Sequence, residues 1–225
     1  NTFIQVTRLA PDDPQTYRDL GRAYLDAGDY VQAQVAYEQV LALTTPTADD
    51  YAHLGAAAFY RENYVQAVNF YTQAVNLELL ATQHRRALAW AYAYSGSTGL
   101  AWEQYEVVLA LRPDDLSAYR DFARMQETFG DARGALNTLE RALDIVPDDA
   151  GNYDAIGQLH ARMGRYPQAI AYFSRALEIA PDNVDILSHR AEAYFNSGDL
   201  NRAIADYVTA YNTGRTEVGT RLAGL

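Results

Sequence analysis

The chain has 225 residues, 49% of them apolar and 21% charged, which is enough apolar material for a buried core. Its formal net charge of −11 repels phosphate backbones and anionic lipid, which argues against nonspecific nucleic-acid and membrane-surface binding. It contains neither cysteine nor lysine, so disulfides, thiolate metal sites, thiol nucleophiles, Schiff-base chemistry and a phosphate-loop lysine are all excluded, while the compartment is left undetermined.

Asn1 to Ala10 reads as a helix carrying Phe3 and Val6 on its core face, followed by Pro11, so residues 1–13 are expected to be the second helix of a preceding repeat. From Pro14 a step of 34 residues then runs six times without insertion or deletion, giving segments 14–47, 48–81, 82–115, 116–149, 150–183 and 184–217. Counted within each segment, position 20 is Ala33, Ala67, Ala101, Ala135, Ala169 and Ala203. Position 8 is Gly21, Gly55, Ala89, Ala123, Gly157 and Ala191, and position 24 is Tyr37, Tyr71, Tyr105, Leu139, Phe173 and Tyr207. Positions 4, 7, 8 and 11 keep the i, i+3, i+4, i+7 spacing of one apolar stripe, so each segment predicts a first helix, a turn and a second helix. Small residues at 8 and 20 let the helices approach closely, and the large ones at 4, 11 and 24 fill the space alongside.

Glycine at position 15 in five of the six segments predicts a left-handed end to the first helix. Asp29, Asn63, Ser97, Asp131 and Asp199 at position 16 are expected to cap the second. Pro113, Pro147 and Pro181, each followed by aspartate, stop one repeat and start the next. The departures cluster in the second and third segments, at Ala58, Glu62, Leu79 and Arg85, which predicts that those two are the least regular. Residues 218–225 read as the start of a further repeat or a truncated cap.

The aromatic residue, Leu-Gly pair, Tyr, Ala, aromatic residue and Pro at these offsets resemble the tetratricopeptide repeat, most closely in Tyr17, Leu20, Gly21, Tyr24, Ala33 and Tyr37. The resemblance implies an all-α fold, a right-handed superhelical α-solenoid, and a role in holding other proteins. It also implies that the flank of each first helix at positions 2, 5, 9 and 12 lines a concave groove where partners lie.

Nothing in the sequence points to catalysis, a metal or a cofactor. His53, His84, His160 and His189 show no ligand spacing, and His160 at position 11 reads as a satisfied core ring. Asp114, Asp115, Asp148 and Asp149 after proline read as caps.

The groove flank carries Arg18, Arg22, Arg86, Trp90, Arg120 and Arg124, with Asp154, Asp185 and Glu192 in the last two segments. Tyr60 and Tyr94, both at position 13, are left over when most tyrosines are assigned to core positions. Arg18, Arg22, Tyr60, Arg86, Trp90, Tyr94, Arg120 and Arg124 are therefore the candidate partner-binding residues. The competing reading is internal pairing, of Arg22 with Asp19 and Asp26 and of Arg124 with Asp121 and Glu127. The set of Lys, Asn and Arg with which the family clamps a chaperone's C-terminal carboxylates is not present. The expected function is a non-catalytic scaffold or adaptor binding an acidic protein or peptide segment, with no nucleic-acid partner and no direct membrane insertion. The alternatives are self-association through complementary charged halves or uncapped ends, and a regulatory arm of a larger enzyme.

Overall fold

The computed structural model describes residues 12–214, so the segments expected before residue 12 and at 218–225 lie outside the described residues. Among the described residues there are twelve α-helices and no strand. They are α1 Pro14–Asp26, α2 Tyr30–Leu43, α3 Ala48–Tyr60, α4 Tyr64–Leu77, α5 Thr82–Tyr94 and α6 Thr98–Leu111. The second half continues with α7 Leu116–Thr128, α8 Ala132–Ile145, α9 Ala150–Arg162, α10 Tyr166–Ile179, α11 Val184–Ser197 and α12 Leu200–Asn212. The chain forms two compact units divided after Pro113, each an α-solenoid segment of three helix pairs. In each unit every helix packs on the next, and each first helix also touches the following first helix: α1 on α3 and α3 on α5, then α7 on α9 and α9 on α11.

The close approach predicted from the small residues is the core of both units. All six position-20 alanines have 0% exposure. A methyl group added at Gly21, Gly55 or Gly157 would come within 2.5, 2.8 and 2.6 Å of the rings of Tyr37, Tyr71 and Phe173, so the position-24 ring lies directly on the position-8 backbone. Around these contacts Leu54, Val40 and Leu88 complete the core of the first unit, and Phe122, Ile156, Leu187 and Leu177 that of the second.

Most of the caps follow the sequence. Asp29, Asn63, Asp131 and Asp199 each accept a backbone N–H in the first turn of the second helix, and Asp13, Asp115 and Asp149 do so for first helices. Ser97, expected to cap, makes no such bond, and of the aspartates that follow proline the N-caps are Asp115 and Asp149 rather than Asp114 and Asp148.

The second and third repeats are not irregular in length: their helices have 13 and 14 residues, as in the first. Two local adjustments absorb the departures. Glu62 adopts φ +60° where the equivalent glycines lie at +72 to +90°, and its turn keeps the same pair of backbone bonds, Glu62 N–H to Phe59 and Asn63 N–H to Ala58. Arg85, which replaces an aromatic ring, donates from Nε and Nη2 to the carbonyl of Leu79 at 3.1 and 2.9 Å, and so ties down the turn that lacks its proline.

Two outcomes follow. Ala67→Leu or Ala135→Leu should overpack a helix crossing and lower stability by about 1–3 kcal/mol, seen in thermal melts. Glu62→Gly should raise stability by about 1 kcal/mol by removing left-handed strain from a non-glycine residue, seen as a higher melting temperature.

Candidate peptide-binding flank

Within each unit, cavities open between consecutive first helices. One of about 360 Å³ in the first unit lies between α3 and α5, lined by Ala56, Phe59, Tyr60, Tyr71, Ala87, Trp90 and Tyr94. In the second unit a cavity of about 250 Å³ lies between α7 and α9, bordered by Arg120, Arg124, Glu127, Gln158 and Arg162. Another of about 330 Å³ lies between α9 and α11, bordered by Arg162, Tyr166, Phe173, His189 and Glu192. The linings are periodic: positions 9, 12 and 24 of one repeat face positions 6, 9 and 13 of the next. Two edges of the same helix face thus meet across each gap. A wheel drawn for one helix finds positions 9 and 12 but misses 6 and 13, and the position-24 side chain of the second helix, Tyr71, Leu139 or Phe173, that also lines the gap.

The first-unit cavity is aromatic. Tyr60 stacks on Tyr30 with centroids 4.9 Å apart, and Tyr94 stacks on Tyr64 at 5.1 Å. Phe59 meets Tyr60, Tyr64 and Tyr94 edge-on at 5.8, 5.3 and 5.4 Å, and Trp90 lies 6.0 Å from Tyr94. Tyr30 and Tyr64, assigned to the core from their position, are half-buried partners of these exposed rings. At the floor, burial pushes the Tyr71 hydroxyl pKa well up, so it stays protonated.

The candidate arginines divide differently. Arg18 donates from Nε and Nη2 to the two oxygens of Asp50, each at 2.8 Å, and Asp50 also closes a capping box with Thr47. Burial alone would raise the Asp50 pKa, but the Arg18 guanidinium and the Thr47 hydrogen bonds outweigh it and hold the carboxyl below its usual range. Arg120, at the same position three repeats on, donates from Nη1 to Asp149 and Asn152, both at 3.0 Å. The acceptors Asp50 and Asn152 both stand 32 residues beyond their arginine, in the next first helix.

Arg22 is exposed on α1 beside the Tyr37 hydroxyl. Arg124 pairs with Asp121 at 2.8 Å, whereas Glu127 is taken by Arg162 of the following repeat. Arg86 is half-buried on α5, one turn before Trp90. The structure therefore brings Tyr60, Trp90 and Tyr94 to one cavity and Arg120 and Arg124 to another, and Arg18 to a structural ion pair.

The histidines follow the same division. His53 stacks on Tyr37 at 4.9 Å and His160 on Tyr172 at 5.4 Å, and burial lowers both pKa values. His160 is buried as expected, but its Nδ1 has no hydrogen-bond partner, so the ring is held by stacking. His189 Nδ1 lies 2.8 Å from Asp154. No group of three or more histidine and carboxylate side chains among the described residues is arranged to hold a metal ion.

Two family models described as tetratricopeptide repeat match residues 16–51 and 160–205. The chain is 26% identical over 118 residues to the heat-shock protein cognate co-chaperone sgt12 of Aspergillus fumigatus, a match covering 52% of this chain and 35% of that protein's length. Among solved structures, the C-terminal part of a TPR repeat-containing protein from Cytophaga hutchinsonii aligns with TM-score 0.67 and 15% identity, over 96% of this chain and 90% of that one. Cut9–Hcn1 aligns with TM-score 0.60 and 16% identity, over 97% and 44%. YrrB, described as a TPR protein with an unusual peptide-binding site, aligns with TM-score 0.55 and 18% identity, over 83% and 96%. With the periodic sequence and the paired helices, these matches identify the chain as a tetratricopeptide-repeat protein.

Arg18→Ala should cost about 2 kcal/mol, less than a fully buried pair because one edge of the guanidinium meets water. Since the Asp50 pKa is lowered on folding, the wild-type contribution is complete above the ordinary carboxylate value of about 3.8 and is lost as pH falls below it. In Arg18→Ala the burial of Asp50 is no longer opposed by the guanidinium, so melts from pH 7 to 3 should show the variant's deficit shrinking toward acid pH.

Proposed function

We propose that this chain is a non-catalytic scaffold that binds a segment of a partner protein along the flank of its first helices. The observation that carries this reading is the periodic set of cavities, each bordered by equivalent positions of consecutive repeats. Such a series suits an extended chain, because neighbouring helices lie about 8–10 Å apart and a strand advances about 3.3 Å per residue, so one side chain in about three reaches a new cavity. The likeness to a co-chaperone and to other tetratricopeptide-repeat proteins supports protein binding in general.

The acidic character of the partner rests on Arg22, Arg86, Arg120 and Arg124. Arg120 and Arg124 already hold carboxylates at 3.0 and 2.8 Å, so an acidic ligand there has to exchange with Asp149 and Asp121 rather than meet an open basic surface. In the first unit the candidates are Arg22, which is exposed on α1, and Arg86, which lies one turn before Trp90 on α5. Self-association is the competing reading; it draws on the exposed Leu77, Leu79 and Leu80 at one turn of the first unit.

Hydrogen exchange on the complex with the natural partner should show protection on α1, α3 and α5 or on α7, α9 and α11, and much less on the second helices. Arg86→Ala and Arg124→Ala should each weaken binding about three- to tenfold and flatten its salt dependence. Arg141→Ala and Arg175→Ala should leave affinity unchanged, since these guanidinium groups lie on second helices over Tyr119 and Tyr153. Equal losses from both sets would move the interface off the first helices.

A further inference from the structure

The cavity between α3 and α5 differs from the two in the second unit in the chemistry of its walls. Every residue lining it is an alanine or carries an aromatic ring, and none is charged, whereas both second-unit cavities are bordered by Arg162 and a glutamate. Ala56 and Ala87 leave room between the two helices, while Phe59, Tyr60, Trp90 and Tyr94 supply ring faces and edges around it. Its volume of about 360 Å³ is ample for one flat side chain, and the rings around it are already held in stacked and edge-to-face pairs. Tyr60 and Tyr94 are nonetheless 61% and 43% exposed, so their mutual packing leaves ring surface to be covered.

Charge decides between the two ligands such walls could take. Ring faces attract cations and also accept other rings. At the turn end Arg61 and Glu62 are adjacent and cancel, with the Arg61 guanidinium donating to Gln34. At the other end Arg86 lies four residues from Trp90, about 6 Å along the helix, whereas Asp49 lies seven residues from Ala56, about 10 Å. The nearer charge is positive, which opposes a cationic ligand and favours a carboxylate beside the ring.

On the reading that the first-helix flank binds a partner segment, we propose that this cavity is a socket for one aromatic side chain of that segment. The segment also carries a carboxylate, within about three residues of the ring, that meets Arg86. Arg86 and Trp90 keep the contacts they make within the protein; the ligand adds to these, using the charge of one and the ring face of the other.

Trp102→Phe leaves Trp90 as the single tryptophan and removes an indole whose N–H has no hydrogen-bond partner, so Trp90 fluorescence reports directly on the socket. The probe is a synthetic glycine-serine peptide with one phenylalanine and one glutamate two residues before it. It should bind about tenfold or more tightly than its alanine-for-phenylalanine analogue. Glutamine for glutamate should cost about threefold or more and remove the salt dependence. Ala87→Leu, which fills the gap, and Tyr60→Ala at an exposed ring should each abolish the preference for phenylalanine while melting curves show the fold intact.

Equal binding of the phenylalanine and alanine peptides overturns the proposal, as does tighter binding of a peptide bearing trimethyl-lysine at the central position. The hydrogen-exchange footprint of the natural partner separates the two levels. Protection on the first helices with rejection of the phenylalanine peptide ends the aromatic socket alone, and protection confined to the second helices ends the flank reading with it.

Discussion

Three of the six repeats are held together where a ring from the second helix lies on a glycine backbone of the first. Tyr37 covers Gly21, Tyr71 covers Gly55 and Phe173 covers Gly157 so closely that even a methyl group would collide. The fully buried alanine at position 20 makes the same demand from the other helix. With the crossing distance set in this way, the connecting turns are confined to a few residues, and the first helices of consecutive repeats are brought side by side. The cavities on the flank follow from this spacing. They are the gaps left between helices whose separation is governed by the core on the opposite side.

The arginines show how one residue type at one repeat position can serve two ends. At position 5, Arg18 and Arg120 staple one first helix to the next, through Asp50 in one unit and through Asp149 and Asn152 in the other. A second well-buried ion pair lies in the last repeat. There Arg190 stands where the other repeats have Leu, Phe or Ile and binds Asp206 at 2.7 and 2.9 Å and Ser174 at 3.1 Å. A charge at a core position is tolerated only because both carboxylate oxygens face the guanidinium, and removing one partner would leave the other stranded. On the proposed reading, an acidic partner segment would meet a flank whose positive charges are partly committed, so that recognition would depend on exchange and on the aromatic walls more than on bulk charge.

The fold was legible in the sequence because its causes are local and repeat. A glycine at position 15, an aspartate at 16 and an alanine at 20 act within a few residues, and six copies of the pattern leave no doubt about register. Even the departures were visible as departures. What they did to the chain was not, since Glu62 could have broken its turn and Arg85 could have left a hole. The left-handed backbone at Glu62 and the Arg85 bonds to Leu79 show that a single residue can carry the required geometry when the helices on either side already hold it.

The site was legible only in part, and the limit is one of distance along the chain. Helical periodicity reports neighbours three or four residues apart, which is why the pairing of Arg124 with Asp121 could be foreseen. The partner of Arg18 is 32 residues away, that of Arg162 is 35, and Tyr60 and Tyr94 each stack on a ring 30 residues earlier. Those contacts depend on how one repeat is rotated against the next, a quantity fixed by core packing and absent from any single helix. The sequence by itself therefore determined the repeat, its register and the residues of the core. Only the tertiary structure decided which arginines are bound to carboxylates and that Phe59, Tyr60, Trp90 and Tyr94 border one cavity, because such pairings are made between repeats.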